Sequence, residues 1–429
     1  MNELDCSVAL ALLAALMWAN YRVHRSSLNP GFLYCAVWFG AVAMMFAAQP
    51  WFFPLERPTL YAFVLGAFGF SVGSMLGIRI GTDSGSSQLP AAQSSGSAGT
   101  QLILDILVIA CFALGPVFYQ LFVDVFVVTD LLSVLPQLRQ EMTERGGGLP
   151  FDPVRNLPVL SFLVAVAAFH ERGNSRWGNV RAVVAIVLAL AYGLATGSKA
   201  VLVNLPLTLY LLACLRQQRL LVKTGGALLL VVVILFGIGV LLVNLSGLAE
   251  GAESEAILAA IRTLPTYFLG SLFAFDQVLS QPERLEANQS ITRFFLETAN
   301  SLGGTFYVPD INADWTVVSN LYSTNTYTIH FSYFMDGGWL GMLLLPLPVG
   351  LVLGWTLVVA LRGSPIAIAM FALLGKGIFL SVHSEQFFVA LNWHLKSLLF
   401  LLALYTVPAV VASWMSKVPR SRQSSARTS

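Results

Sequence analysis

Long apolar blocks separated by short polar joints dominate this chain. A bilayer-spanning helix needs roughly 20 mostly apolar residues. That rule predicts about eleven spans, near residues 4–21, 31–49, 59–78, 102–127, 157–170, 181–196, 199–215, 225–247, 337–361, 365–382 and 393–413. Two of these blocks are short, so the expected count is about 10 to 12. The expected fold is an all-α polytopic membrane protein with one transmembrane domain over residues 1–429. Residues 79–100 read as a Gly/Ser linker and residues 414–429 as a basic, disordered tail. Residues 246–328 form the longest polar connection, between the eighth and ninth spans. Structureless loops beyond about 12–15 residues are uncommon unless they have a function. Apolar residues at Ile257, Ile261, Leu264, Phe268, Leu272 and Phe275 predict an amphipathic helix over residues 256–279, and a second helix is expected over residues 291–302. Together they would form a lid over one face of the bundle.

Composition agrees with the pattern. The chain is 56% hydrophobic and 11% charged, with a mean hydropathy of +0.74, whereas a soluble domain carries about 25% charged residues. A formal net charge of +2 gives no reason to expect nucleic-acid binding. Cys6, Cys35, Cys111 and Cys214 all lie in apolar runs, so neither a disulfide framework nor a metal site is expected. Glu3 and Asp5 stand where a signal peptide would be basic, so the first helix is expected to be retained. Arg22 and Arg25; Arg172, Arg176 and Arg181; Arg216, Arg219 and Lys223; Arg362; and Lys417, Arg420, Arg422 and Arg427 alternate onto one side. By the positive-inside rule that side, with the C-terminus, is cytoplasmic. The long loop then lies on the outer face.

Candidate chemistry gathers on that outer face. Residues 319–341 place Asn320, Asn325, Tyr327, His330, Tyr333 and Asp336 immediately before an apolar block. His330 has the range for general acid/base work, but a lone histidine is also often a satisfied structural residue. Asp336 precedes Gly337-Gly338, where a carboxylate either caps free N–H groups or does chemistry. Tyr327 and Tyr333 stack on a sugar or anchor the interface. Arg139, Arg145, Arg155, Lys199, Arg262, Arg284 and Arg293 also fall on the outer face, and guanidinium groups there suit an anionic ligand such as a phosphate. Long loops escape the charge rule, so each Arg also reads as simply solvated. Glu385, in the last outer loop, is a further carboxylate.

Three segments in this order carry a resemblance: Thr-Gly-Ser-Lys-Ala at 196–200, Tyr-Phe-Leu-Gly-Ser-Leu-Phe-Ala-Phe-Asp at 267–276, and the run from Asn325 to Asp336-Gly-Gly-Trp-Leu-Gly341. Together they resemble bacterial oligosaccharide repeat-unit polymerases of the Wzy type, most clearly over residues 155–361. The resemblance implies a GT-C-like glycosyltransferase of the bacterial inner membrane with its active face in the periplasm. Such an enzyme joins undecaprenyl-pyrophosphate-linked repeat units into O-antigen, capsule or exopolysaccharide, without a cofactor or metal. Implied partners are the lipid-linked glycan donor and acceptor, membrane lipid, a chain-length regulator and a flippase. Lys199 occupies a basic position that is commonly Arg in the family. On this reading Lys199, Arg262, Arg293 and Arg284 bind pyrophosphate. Asn325, Tyr327 and Tyr333 contact sugar, and His330 and Asp336 are the catalytic candidates. The third segment also resembles, more loosely, the motif of O-antigen ligases, but Tyr327 stands where the ligases carry His, and Phe331 stands near where some polymerases carry Arg. A ligase using the same carrier lipid is the alternative, and a lipid-linked oligosaccharide flippase is the alternative from another class.

Overall fold

The computed structural model describes residues 3–53, 55–83, 98–118, 156–173, 175–195, 199–228, 230, 234, 269–280, 291–308, 315–320 and 322–417. These residues are almost all helical. In chain order the helices are α1 (Glu3–His24), α2 (Pro30–Ala48), α3 (Arg57–Asp83), α4 (Ala98–Ala113), α5 (Leu157–His170), α6 (Arg176–Ala195) and α7 (Lys199–Arg216). Then come α8 (269–280), α9 (Ile291–Ser301), α10 (Ile329–Leu344), α11 (Pro346–Leu361), α12 (Pro365–Leu380) and α13 (Leu391–Lys417). A two-stranded antiparallel ribbon, β1 (Thr316–Val317) with β2 (Ser323–Thr324), precedes α10. Among the described residues four helices are long and apolar enough to cross a membrane, or five if the bent pair α10–α11 is one span. The architecture is that of an all-α membrane protein.

Helix starts follow local chemistry. Asn29 caps α2 by accepting from the Gly31 N–H at 2.9 Å, with Pro30 in the first turn. The same side chain donates to the Asn20 carbonyl at 2.6 Å and meets the Ser74 hydroxyl at 3.1 Å, tying α1, α2 and α3 together. Ser364 and Pro365 open α12 in the same way.

Helix α3 is the centre of the bundle, and its glycines explain why. Gly69, Gly73 and Gly77 lie directly on the carbonyl oxygens of Leu343, Leu347 and Leu351, while Gly350 and Gly354 of α11 lie on those of Phe70 and Ser74. Small residues at a spacing of four let membrane helices approach backbone to backbone where the hydrophobic effect offers no driving force. Helices α10 and α11 meet at 51°, and both reach α3 through these glycines.

The bundle has two chemically distinct ends. At one, the Ser27 hydroxyl accepts from the Leu220 N–H at 3.2 Å, Arg362 donates to the Gly81 carbonyl at 2.6 Å, and Arg216 donates to the His170 carbonyl. These links bring together the helix ends carrying Arg22, Arg25, Arg172, Arg216 and Arg362, a grouping expected from their alternation in the sequence. Arg181 lies inside this end, 3% exposed, paired with Asp105 at 3.2 Å. At the opposite end Asp5 pairs with Arg57 at 2.7 Å, and the Phe53 N–H donates to the Val318 carbonyl at 3.0 Å.

Two expected boundaries differ. The ninth apolar block is expected to open at 337, whereas α10 opens at Ile329, so the polar run from His330 to Asp336 is helical. Hydropathy averages over a window and misses polar side chains that face a bundle interior. The amphipathic helix expected over 256–279 is described only from 269. The linker core at 84–97 and the tail beyond 417 lie outside the described residues.

Candidate functional site

The end opposite the basic one is assembled from α8, α9, the β-ribbon, α10 and the α12–α13 loop. Helix α8 buries Leu272, Phe273 and Phe275. Phe273 stacks on Phe52 at 4.3 Å between ring centroids, and Phe275 meets Phe334 of α10 edge-on at 6.4 Å. Asp276, which ends this apolar stripe, accepts from the Glu56 N–H at 2.9 Å and from the Thr59 hydroxyl. It therefore supplies an acceptor to the N-terminus of α3. Burial pushes its carboxyl above the ordinary value, against the pull of those two donors.

Helix α10 is broken in the middle. Gly337 lies at φ −154°, ψ 15°, and Gly338 at φ 56°, ψ −145°, a region essentially reserved for glycine. The break leaves carbonyls of the first half-helix and N–H groups of the second without their usual partners. Non-helical backbone at membrane depth is tolerated where it is buried in protein or lines a cavity. Asp336 stands at the break, just ahead of the second half-helix, where the positive dipole end favours a carboxylate. The Thr292 hydroxyl donates to Asp336 Oδ2 at 3.4 Å, which sets α9 against the break. On the next residue of α9, Arg293 pairs with Glu297 at 2.8 Å.

His330 lies elsewhere. It is fully buried, with the Trp38 ring edge-on at 4.2 Å, Phe63 at 5.4 Å and Gly66 of α3 directly against the imidazole. Neither ring nitrogen has a hydrogen-bond partner. Tyr327 is buried too, stacked on Phe331 at 4.4 Å with its hydroxyl 2.6 Å from that of Thr316, which fastens the β-ribbon to α10. Tyr333 is 1% exposed with an unpartnered hydroxyl close enough to Glu385 to feel its charge. Asn325 is half-buried at the turn before α10.

The α12–α13 loop closes the site from the other side. The Ile329 N–H donates to the Ser381 carbonyl at 2.9 Å, and Ser271 of α8 donates to the Val382 carbonyl at 2.7 Å. Glu385 is 8% exposed and accepts from the backbone N–H groups of Phe387 at 2.8 Å and Val389 at 2.6 Å. Burial pushes its carboxyl up, the backbone donors oppose the shift, and the charge of Asp336 adds to it.

The structure thus brings together Asp336, Thr292 and the helix of Arg293, with Tyr333 one turn earlier on the same half-helix as Asp336. It places His330 and Tyr327 in packed surroundings. Lys199 opens α7 at this same end, and Arg262 and Arg284 lie outside the described residues. Among the described residues no group of three His, Cys, Asp or Glu could hold a metal ion. Sequence reasoning did not find Asp276 as the acceptor for α3, or Trp38 and Gly66 as the wall around His330. Gly66 had a visible signal in the glycine-rich face of α3, whereas Trp38 sits in an apolar run with nothing to single it out. No protein-family model matches this chain, and neither a curated protein nor a solved structure matches it.

Proposed function

We propose that this chain is a glycosyltransferase of the inner membrane that joins oligosaccharide repeat units carried on undecaprenyl pyrophosphate, with the broken end of α10 facing the periplasm. The observation that carries the reading is the hydrogen bond from Thr292 to Asp336 beside the Gly337–Gly338 break. It sets a helix bearing a cation, Arg293, against a carboxylate at the mouth of the bundle. Two of the three segments that resemble the polymerases also pack on one another through Phe275 and Phe334.

In the reaction, an acceptor sugar hydroxyl attacks the anomeric carbon of the donor. The bond from that carbon to the pyrophosphate oxygen breaks, and the leaving pyrophosphate keeps the electron pair. Asp336 takes the hydroxyl proton, as a general base within reach of the mouth. Arg293 and Lys199 at this end, joined by the sequence candidates Arg262 and Arg284, stabilise charge developing on the leaving group. Asn325 contacts the sugar, while Tyr333, 1% exposed one helical turn before Asp336, supports the site from within. His330, walled by Trp38, Phe63 and Gly66, holds the first half-helix of α10 in place.

A strain lacking the protein tests this reading. A carbohydrate-stained gel of its surface polysaccharide should show cores bearing one repeat unit and no ladder. Bare cores with long polymer retained on the carrier lipid would point to a ligase instead, and an absence of exported units would point to a flippase.

A further inference from the structure

Helix α12 carries a buried cation. Lys376 is 4% exposed, and among the described residues no carboxylate pairs with it. An ionisable side chain in a membrane helix is costly unless it meets a counter-charge or a function. The Lys376 ammonium instead sits 4.8 Å from the ring centroid of Trp393, in the first turn of α13. Phe162 of α5 meets that indole edge-on at 5.6 Å. His394, 5% exposed, completes the group, and the Lys376 charge reaches its ring.

One hydrogen bond fixes the state of this histidine. Its Nε2 lies 2.9 Å from the Gln386 carbonyl oxygen. A carbonyl only accepts, so Nε2 carries the hydrogen. Nδ1 is buried without a partner. The N-terminus of α13 adds its positive dipole end to the same place. Lys376 lies four residues before the end of α12, about 6 Å below it at 1.5 Å per residue, and at the same end of the bundle as Asp336. Lys376 meets the negative dipole end of α12 and the Trp393 ring, but among the described residues no full negative charge pairs with it.

We propose that Lys376 and the first turn of α13 form an anion site inside the bundle that takes the phosphate group of a lipid. A lipid-borne phosphate supplies the missing charge and accepts from the ammonium, while its hydrocarbon chain remains in the bilayer. Two sources share this chemistry, an isoprenyl pyrophosphate and a phospholipid headgroup. Only the first rests on the function proposed above.

The test is native mass spectrometry of the purified full chain in detergent, titrated separately with undecaprenyl pyrophosphate, phosphatidylglycerol and uncharged diacylglycerol. Lys376→Met should weaken binding of a phosphate lipid by about tenfold to a hundredfold, the range for a lost charge-assisted hydrogen bond. Lys376→Arg should retain binding, and diacylglycerol adducts should not change. Methionine replaces a buried unpaired cation with an apolar chain of similar length, so Tm should hold and separate lost binding from lost fold. Should Lys376→Met prove unstable, the Lys376→Arg and Lys376→Gln proteins give the same comparison, with binding kept in the first and weakened in the second. Preference for undecaprenyl pyrophosphate would assign the site to the carrier. Equal binding of phosphatidylglycerol would assign it to membrane phospholipid and leave the polymerase reading to its own gel. Binding by Lys376→Met within twofold of the wild type would overturn the proposal.

Discussion

Replacing Gly338 by alanine attacks the break in α10 at a single atom. At φ 56° and ψ −145° a Cβ meets its own backbone, and holding a non-glycine residue in such a region costs on the order of 1–3 kcal/mol. Beyond the neighbouring backbone of α10 itself, no heavy atom lies within 4 Å of the position an added Cβ would occupy, so the penalty is conformational and includes no packing against other elements. Gly337 supplies the control. An added Cβ there also meets nothing within 4 Å, but its φ of −154° is on the negative side. Both substitutions restrict the unfolded chain alike, a gain of roughly 0.4–1 kcal/mol that cancels between them. The two adjacent variants should therefore differ by more than about 1 kcal/mol. In thermal unfolding of the purified protein each kcal/mol lowers Tm by at most about 2–4 °C, and by less in a chain this long. Gly338→Ala should also lose polymer in cells, because the least strained response is for α10 to straighten and carry Asp336 away from Thr292. Equal Tm and equal polymer for the two variants would refute the claim that the break is built into the sequence.

Gly73→Val places a branched side chain against the Leu347 carbonyl and should destabilise the protein by about 1–3 kcal/mol through overpacking; an unchanged Tm would show that α3 and α11 do not meet backbone to backbone. Arg293→Ala removes one partner of an i,i+4 pair whose Glu297 side chain is 52% exposed, so it should change stability by less than about 0.5 kcal/mol while abolishing the ladder. Glu385→Gln addresses the buried carboxyl, which the fold raises above its ordinary value. A raised acid favours its protonated form, so its contribution is complete below the unfolded pKa and is lost as pH rises through the folded one. The Tm of the variant should therefore gain on that of the wild type as the pH rises above about 4, the unfolded carboxylate value. A constant difference across that range would show that Glu385 stays ionised in the fold.

The all-α membrane class was legible because repeated apolar blocks of bilayer length, nearly free of charge, are foreign to soluble domains. The gathering of Arg22, Arg172, Arg216 and Arg362 at one end was legible for a related reason, since charge placement follows the crossings. Helix α9 was visible in the sequence because Ile291, Phe294 and Phe295 alternate with polar residues at helical spacing. The interior was not legible. His330 looks like a surface histidine beside Tyr327 and Tyr333, and only the glycine opposite it on α3 reveals that it is packed inside. The partners of Asp276 and Asp336 lie on residues distant in the chain, Thr59 and Thr292, which no local pattern connects to them. Lys376 reads in sequence as one cation near a helix end, and its lack of a counter-charge is a fact of three-dimensional packing.

Reconstitution tests the central claim most directly. The purified chain in liposomes, given undecaprenyl-pyrophosphate-linked repeat units and no other protein, should release undecaprenyl pyrophosphate and build a ladder of joined units. Asp336→Asn in the same liposomes should build none. A wild-type preparation that binds the lipid-linked units yet never joins two of them would contradict the assignment.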